Sequence, residues 1–420
     1  MVFRFAATVL VALNLSLLGA VLCFDDCRLT LVESIPEGLE YPAGSPAYPA
    51  TYAVWLDLIG KARSTINIAS FYWTLRNKDI PPGDNSSWMG EEVFTALLNA
   101  GVRGDAKIRI AQNKPSRINP GQDTADLVKL GAAEVRTLDF DKLIGAGVLH
   151  TKFWIIDDLH IYIGSANMDY RALSQVKEMG AVVYDCPSLA ADLKKIFEVY
   201  WLVGDLNAIP PKWPSDFSTD YNYKSPLRLN LNGSAAQAFI SSSPPPLSPP
   251  GRSDDLTSIV DAINEAREFI YVAVMDFYPQ IIYGGPDKGK LWTPIETALK
   301  RASVERNVDV RLLVSQWPST RPSMEAFVAS LNELGRFYKF QTKKFIVPKL
   351  PYNRKIPFSR VNHNKYMVTD SSAFIGTSNW SGDYFINTAG IGLHIYHNAT
   401  VNELKAVFLR DWESQYTRNV

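Results

Sequence analysis

The chain has 420 residues, 46% of them apolar, enough to bury a large core and to form two domains or lobes. Its 43 Lys and Arg balance its 43 Asp and Glu. That balance excludes an overall basic field able to draw in long duplex nucleic acid, so any charge selectivity must be local.

Arg4, an apolar run from Phe5 to Leu22 and then Cys23-Phe-Asp-Asp-Cys27 read as a signal peptide over residues 1–23. The alternative is a signal anchor, since the run is almost long enough to span a bilayer. Either way the body enters the secretory lumen, and membrane contact is expected only through an uncleaved leader. Once Cys23 leaves, Cys27 and Cys186 form an even pair in an oxidising space, and a disulfide between them is the simplest use. It would close a loop of about 160 residues, for which chain entropy allows up to roughly 5 kcal/mol. Sequons at Asn85, Asn232 and Asn398 are expected glycan sites. Asn379-Trp-Ser is also a sequon, but its neighbours suit it to a site instead.

An internal duplication organises the body. Ile59 to Ala69 aligns with Ile263 to Ala273, a helix end feeding a buried strand, and Ala106 to Ile110 aligns with Val308 to Leu312. Strands alternating with helices imply an α/β fold of two similar α/β/α sandwich lobes about a pseudo-two-fold axis, with the active site at their interface. The expected division is an N-terminal lobe over 24–205, a connection over 206–226 broken by Pro210-Pro211 and Trp213-Pro214, and a C-terminal lobe over 227–420. The Pro-rich run from Ser243 to Pro250 has a counterpart at Pro42 to Pro49, so both read as ordered loops rather than linkers.

The strongest signal is His150-x-Lys152-x4-Asp157, repeated as His363-x-Lys365-x4-Asp370. Each copy is followed by a Gly-Ser/Thr-x-Asn turn carrying Ser165 and Asn167, or Thr377 and Asn379. With only five histidines in the chain, two matching copies are not a chance event. A lone His-x-Lys on a strand would be an ordinary surface pair. Here β-branched and aromatic neighbours indicate strands, and the two-residue period puts His and Lys on one face. If the lobes face each other, two imidazoles, two ammonium groups and two amides converge as a receptor for a phosphate. Such a site suits displacement at a phosphodiester: one neutral imidazole attacks phosphorus, lysines neutralise the equatorial oxygens, and the other, protonated imidazole feeds the leaving oxygen. A bell-shaped pH profile follows.

No Cys-x-x-Cys, His-Glu-x-x-His or acidic cluster accompanies the motifs, so no metal and no cofactor are expected. His394 and His397 would point to opposite faces of a strand and make a weak ligand pair. From Leu334 to Thr369 there is no acid, while Arg336, Lys339, Lys343, Lys344, Lys349, Arg354, Lys355, Arg360 and Lys365 interleave with Phe337, Tyr338, Phe340, Phe345, Tyr352 and Phe358. This is what a single-stranded nucleic acid needs; the plain alternative is solvated lysines beside buried aromatics.

These motifs resemble the phospholipase D superfamily, whose signature is the duplicated His-x-Lys-x4-Asp. Leu31-Val-Glu-Ser-Ile-Pro-Glu-Gly38, Gly164-Ser-Ala-Asn-Met-Asp169, Val361-Asn-His-Asn-Lys-Tyr-Met-Val-Thr369 and Gly376-Thr-Ser-Asn-Trp-Ser-Gly382 are similar to its animal luminal branch, the lysosomal 5′ exonucleases. The resemblance implies His150 as nucleophile, His363 as general acid, Lys152 and Lys365 as phosphate clamps, and Asn167 and Asn379 as further phosphate ligands. Asp157 and Asp370 would complete the catalytic motif as orienting residues rather than proton carriers, and since an Asp after a strand usually serves a turn, Asp157 is expected to do both. Glu178 matches the carboxylate that holds the first His; Thr388-Ala389-Gly390 stands at that place in the second half, so no carboxylate is expected on His363. A homodimer is implied by the resemblance alone. The expected activity is a metal-independent exonuclease on single-stranded DNA or RNA, in a lysosomal or secreted protein. The alternatives are a phospholipase or transphosphatidylase on phospholipids, for which no amphipathic basic helix is evident, and a catalytically silent binding protein, which degenerate motifs would have signalled.

Overall fold

The computed structural model describes residues 24–77, 84–350 and 354–420; the leader lies outside the described residues. In the first half the strands are β1 (Asp26–Ser34), β2 (Thr65–Ser70), β3 (Trp73–Thr74), β4 (Lys107–Asn113), β5 (Ala133–Leu138), β6 (Lys152–Ile156), β7 (His160–Gly164), β8 (Met168–Asp169) and β9 (Glu178–Tyr184). In the second they are β10 (Leu227–Leu231), β11 (Ser234–Ser243), β12 (Phe269–Val274), β13 (Asp309–Ser315), β14 (Phe340–Phe345), β15 (Lys365–Thr369), β16 (Ala373–Gly376), β17 (Gly390–Tyr396) and β18 (Thr417–Asn419).

The first half orders its strands β1-β9-β7-β6-β2-β4-β5 and the second β11-β17-β16-β15-β12-β13-β14, the same topology twice. β2-β4-β5 and β12-β13-β14 run parallel, while β6 and β15 join them antiparallel. A short parallel contact, Asp26 and Cys27 against Asn230 and Leu231, fuses the two sheets into one of 16 strands.

Period two then sorts the side chains into layers. Ile66, Ile68, Ile108 and Ile110 face outward to Val54, Trp55 and Leu58 on helix α1 (Thr51–Lys61) and to Val93 and Leu97 on α2 (Trp88–Val102). The second half has the matching outer core, where Ile270, Val272 and Leu312 meet buried Ile259, Ile263 and Leu299. The inner face is different. Ala69, Phe153 and Ile155 pack with Phe197 and Tyr200 in the same continuous core as Tyr366, Val368 and Phe408. Two outer cores belong to the halves; the inner one is shared, so neither half is expected to bury its surface alone.

One detail is repeated side chain for side chain. Arg109 lies over Phe197 and Trp201, with Arg136 over Trp201; at the matching places Arg311 and Lys343 lie over Trp412, which stacks on Phe408. Cation–π contacts of this kind hold a long helix against the parallel strands in each half.

The two halves are locked by buried charge. Lys177 and Asp411, both fully buried, pair at 2.8 Å, and Arg410 spans Glu33 at 2.7 Å and Asp411 at 3.0 Å. Removing one partner of such a group strands the other and typically costs ~3–5 kcal/mol. The segment after the helix Pro187–Leu206 is also tied down: Thr219 Oγ1 donates to Asp192 at 2.5 Å and Arg252 pairs with the same carboxylate at 2.5 Å. The Pro-rich run from Ser243 is an ordered loop containing a 3-10 turn, Pro245–Leu247. Cys27 and Cys186 are disulfide-bonded, with Cα atoms 4.8 Å apart. Among the described residues no helix is long and apolar enough to cross a membrane.

Candidate active site

Each histidine sits one residue outside a cross-half contact. Leu149 bridges Ala389, and His150 N donates to Ala389 O at 2.8 Å; Asn362 bridges Lys177, and His363 N donates to Lys177 O at 2.8 Å. Main chain from one half therefore sets the place of the other half's imidazole. Both rings line one cavity of about 260 Å³, together with Asn167 and Asn379.

The rings are held differently. His150 Nδ1 lies 3.0 Å from Thr377 O and 3.0 Å from Lys152 Nζ. A carbonyl oxygen can only accept, so we assign the Nδ1 proton to the Thr377 bond, which leaves Nε2 with its lone pair. Phe71 and Tyr384 flank this ring at 5.1 and 4.9 Å. His363 Nδ1 meets Glu178, at 2.8 Å to Oε2 and 3.1 Å to Oε1, and the main chain of Ser165 bonds this ring as that of Thr377 bonds His150. Glu178 therefore holds the second histidine, not the first as the aligned position implied. The correction has a geometric cause: the pseudo-two-fold axis exchanges partners, so each half's supporting position faces the opposite half's ring. The matching position is Gly390, where a side chain would collide with Ser378 Oγ at 2.1 Å. His150 consequently has no carboxylate there and relies on the Thr377 carbonyl.

Lys152 donates to His150 O, and Lys365 Nζ donates to His363 O at 2.7 Å. Both ammonium groups are buried, 2% and 1% exposed. Burial, then the charge of Lys365, pushes Lys152 well below the ordinary lysine value; burial brings Lys365 down to about 7. Burial also lowers both imidazoles, with the lysines next in importance. Cations forced together out of water in this way demand an anion, and a phosphodiester would relieve each of these penalties.

Glu178 is pushed up to about 8 by burial, against the pull of Lys365 and Ser165. It and His363 share one proton across a short contact, so proton affinity belongs to the pair. Below that value the pair keeps its proton whichever atom carries it, and Nε2 is the nitrogen of His363 that Glu178 does not engage.

Several expected site residues lie elsewhere. Asp157 accepts from the main-chain N–H groups of Arg63, Ser64 and Thr65 at 2.7–2.8 Å, and Asp370 from those of Arg267, Glu268 and Phe269 at 2.9–3.5 Å. Both stand five residues beyond the lysine, about 17 Å along an extended strand, and tie the turns that launch β2 and β12. They are fold residues with no place in the cavity. Ser165 Oγ faces Glu178 Oε2 at 2.5 Å and Met179 O at 3.1 Å, while Thr377 Oγ1 turns to Ile391 O at 3.3 Å, so neither hydroxyl lines the cavity. His394 stacks on Phe239 and His397 caps a helix, so they form no ligand pair.

Other residues enter the cavity without any motif to announce them. Tyr72 and Asp276 occupy equivalent positions, three beyond the aligned Ala69 and Ala273. Tyr72 accepts from Asn167 Nδ2 at 3.4 Å, and Asp276 accepts from Asn379 Nδ2 at 3.4 Å. Tyr384 OH is the second acceptor for Asn379, at 3.2 Å. Burial raises Asp276 to about 6. Extending the internal alignment by three residues would have found the first pair; nothing in the sequence marks Tyr384.

Comparison with known proteins agrees with this reading of the fold. Residues 45–350 match the family described as PLD3/4, PLD-like domain. The chain is 49% identical over 407 residues to the 5′-3′ exonuclease PLD3 of Xenopus tropicalis, covering 94% of this chain and 81% of that protein. It is 47% identical to the human 5′-3′ exonuclease PLD3, covering 95% and 82%, and 42% identical to mouse 5′-3′ exonuclease PLD4, covering 94% and 80%. Among solved structures, the phosphatidylserine synthase of Haemophilus influenzae superposes with a TM-score of 0.57 at 14% identity, over 88% of this chain and 85% of that one, a likeness of fold alone. A family match over most of the chain, joined to a duplicated strand order that brings both motif histidines to one cavity, makes this chain a member of the PLD3/4 PLD-like family.

Proposed function

We propose that the protein is a metal-independent phosphodiesterase acting through a phosphohistidine, a luminal exonuclease that removes nucleotides from the 5′ end of single-stranded DNA or RNA. The observation that carries this reading is that both imidazoles line one cavity with their Nδ1 atoms engaged, which leaves both Nε2 atoms for a phosphate.

His150 Nε2 attacks phosphorus as the bond to the leaving oxygen breaks, and His363 Nε2 gives that oxygen its proton. Lys152 and Lys365 compensate the charge gathering on the equatorial oxygens. His363, now free of that proton, takes one from water; the water oxygen bonds phosphorus, the phosphorus–nitrogen bond breaks, and His150 is restored. Glu178 supports the charged form of His363, and the lack of a carboxylate on His150 keeps that ring neutral. The proposal keeps the roles implied by resemblance, with Glu178 supporting the acid rather than the nucleophile.

The cavity, about 260 Å³, falls just below the ~300–1,000 Å³ of ordinary small-molecule sites, which favours an unpaired strand end over a stacked duplex. The 5′-3′ exonuclease activity named for the relatives supports the reaction and its polarity. The disulfide favours an oxidising compartment, and we place the protein in the secretory lumen, lysosomal or secreted. Purified protein is incubated with a 5′-hydroxyl single-stranded oligonucleotide and with phospholipid vesicles. Shortening of the oligonucleotide from its 5′ end is expected; an intact oligonucleotide beside hydrolysed lipid overturns the proposal.

A further inference from the structure

A second cavity, about 750 Å³, adjoins the catalytic one and shares two aromatic residues with it, Trp317 and Phe358. Its lining adds the apolar side chains of Ile346, Val347 and Leu350 to the cations Lys349, Arg354, Lys355 and Arg360, and among the described residues contains no carboxylate.

Phe358 is held at the junction against its own preference. Its φ is +57°, and that of Arg360 is +60°, a conformation a bulky side chain rarely accepts. Its neighbours Ile356, Ser359 and Val361 are buried at 6%, 5% and 3%, yet the ring between them is 58% exposed. The backbone is imposed from the first half. Arg360 N donates to Gln175 O at 3.1 Å, Arg360 donates through its guanidinium to Glu37 O at 2.7 Å, and Arg354 pairs with Glu37 at 2.7 Å and Asp84 at 2.9 Å. These anchors spend two of the four cations on holding the loop, leaving Lys349 and Lys355 exposed on the wall. A loop fixed so firmly to keep an aromatic ring in water, five residues before His363, is shaped for a ligand rather than for packing.

We infer that this cavity is the subsite for the strand on the far side of the scissile bond, with Phe358 as the platform on which a nucleobase stacks and Lys349 and Lys355 facing the next phosphates. The inference rests on the exonuclease reading and specifies where the rest of the substrate lies. Single-stranded nucleic acid is recognised by this combination of stacking face and cationic wall, with apolar side chains between.

The test measures kcat/KM on a dinucleotide, a tetranucleotide and an octanucleotide of single-stranded DNA carrying 5′-hydroxyl ends. The longer substrates are expected to be preferred through KM, by about 5- to 150-fold for a stacked base. In Phe358→Ala the octanucleotide-to-dinucleotide ratio should collapse toward one, with Phe358→Trp restoring it. In Lys349→Ser/Lys355→Ser the salt dependence of KM on the octanucleotide should weaken by roughly 0.7 for each phosphate no longer neutralised. All three positions are exposed, so folding should survive, and a thermal melt checks it. A wild-type enzyme indifferent to length, or a Phe358→Ala that loses activity equally on all three substrates, overturns the subsite. Failure of the exonuclease reading looks different: no oligonucleotide of any length is cut.

Discussion

Replacing Glu178 by Gln isolates the contact that distinguishes the two histidines. The carboxylate is 1% exposed and meets His363 Nδ1 at 2.8 Å. A hydrogen bond to a charged partner contributes ~1.5–3 kcal/mol. The Coulomb attraction between unit charges ~4 Å apart is about 4 kcal/mol at an effective dielectric near 20. Both describe one contact and are not summed, so they bracket the expected loss in kcat between roughly 10- and 1,000-fold. The amide keeps an oxygen that can accept from Nδ1, so ring position should be largely preserved and the loss electrostatic. Two readouts then follow. The proton of the Glu178–His363 pair is lost near 8, so the alkaline limb of the wild-type profile should fall there, whereas in Glu178→Gln that limb should move to lower pH. The defect should also shrink on a p-nitrophenyl phosphodiester, whose leaving group needs no proton. Equal loss on both substrates would mean that Glu178 serves the attacking step, and the assignment of His363 as acid would be wrong.

Activity on the oligonucleotide should be unchanged in EDTA; a complete loss that added metal restores would refute transfer through histidine. Asp255, fully buried with its carboxylate 2.6 Å from Ser241 Oγ, is raised by burial to about 7 from 3.8. The folded state therefore binds the extra proton between those values, and stability present below about 4 is lost as pH rises through 7, by up to roughly 4 kcal/mol. Asp255→Asn should flatten that decline in chemical denaturation between pH 5 and 8; an undiminished slope refutes it. Asn232 accepts from Leu29 N and donates to Leu29 O through one side chain, each at 2.9 Å. That two-point pairing uses the amide hydrogen lying on the same side as the oxygen, which is the one a glycan replaces. Glycopeptide mass spectrometry should accordingly find Asn85 and Asn398 occupied and Asn232 bare, and an occupied Asn232 would show that this pairing is dispensable.

The parts of the site that follow strand periodicity are legible in the amino-acid sequence alone. Two pairs on one face each, two turns with amides, and an aligned duplication suffice to bring His150, Lys152, His363 and Lys365 together. Whatever crosses between the halves is not legible there. An alignment of repeats places Glu178 with its own half, and only the exchange of partners about the axis delivers it to His363. The hydroxyls of Ser165 and Thr377 resemble phosphate donors because a small polar residue after a glycine gives no sign of whether it faces a cavity or its own main chain. Asp157 keeps the turn role that an Asp after a strand implies, but neither it nor Asp370 reaches the cavity: spacing fixes sequence distance, and on an extended strand that distance carries them to the opposite end. The basic aromatic stretch divides likewise. Arg336 to Lys339 precede β14 at the end away from the cavities, Lys343 is spent on Trp412 O at 2.9 Å, and only the later residues reach the cleft.

Because main chain from each half keys the other half's imidazole through Leu149–Ala389 and Asn362–Lys177, chemistry and cohesion cannot be lost separately. A slight parting of the seam would spread the two rings while both outer cores remained packed. Such a molecule fails silent: heat, nicking or a damaging mutation at the seam should extinguish phosphodiester cleavage well before the chain unravels. Turnover rate is thus a more sensitive gauge of the seam than circular dichroism.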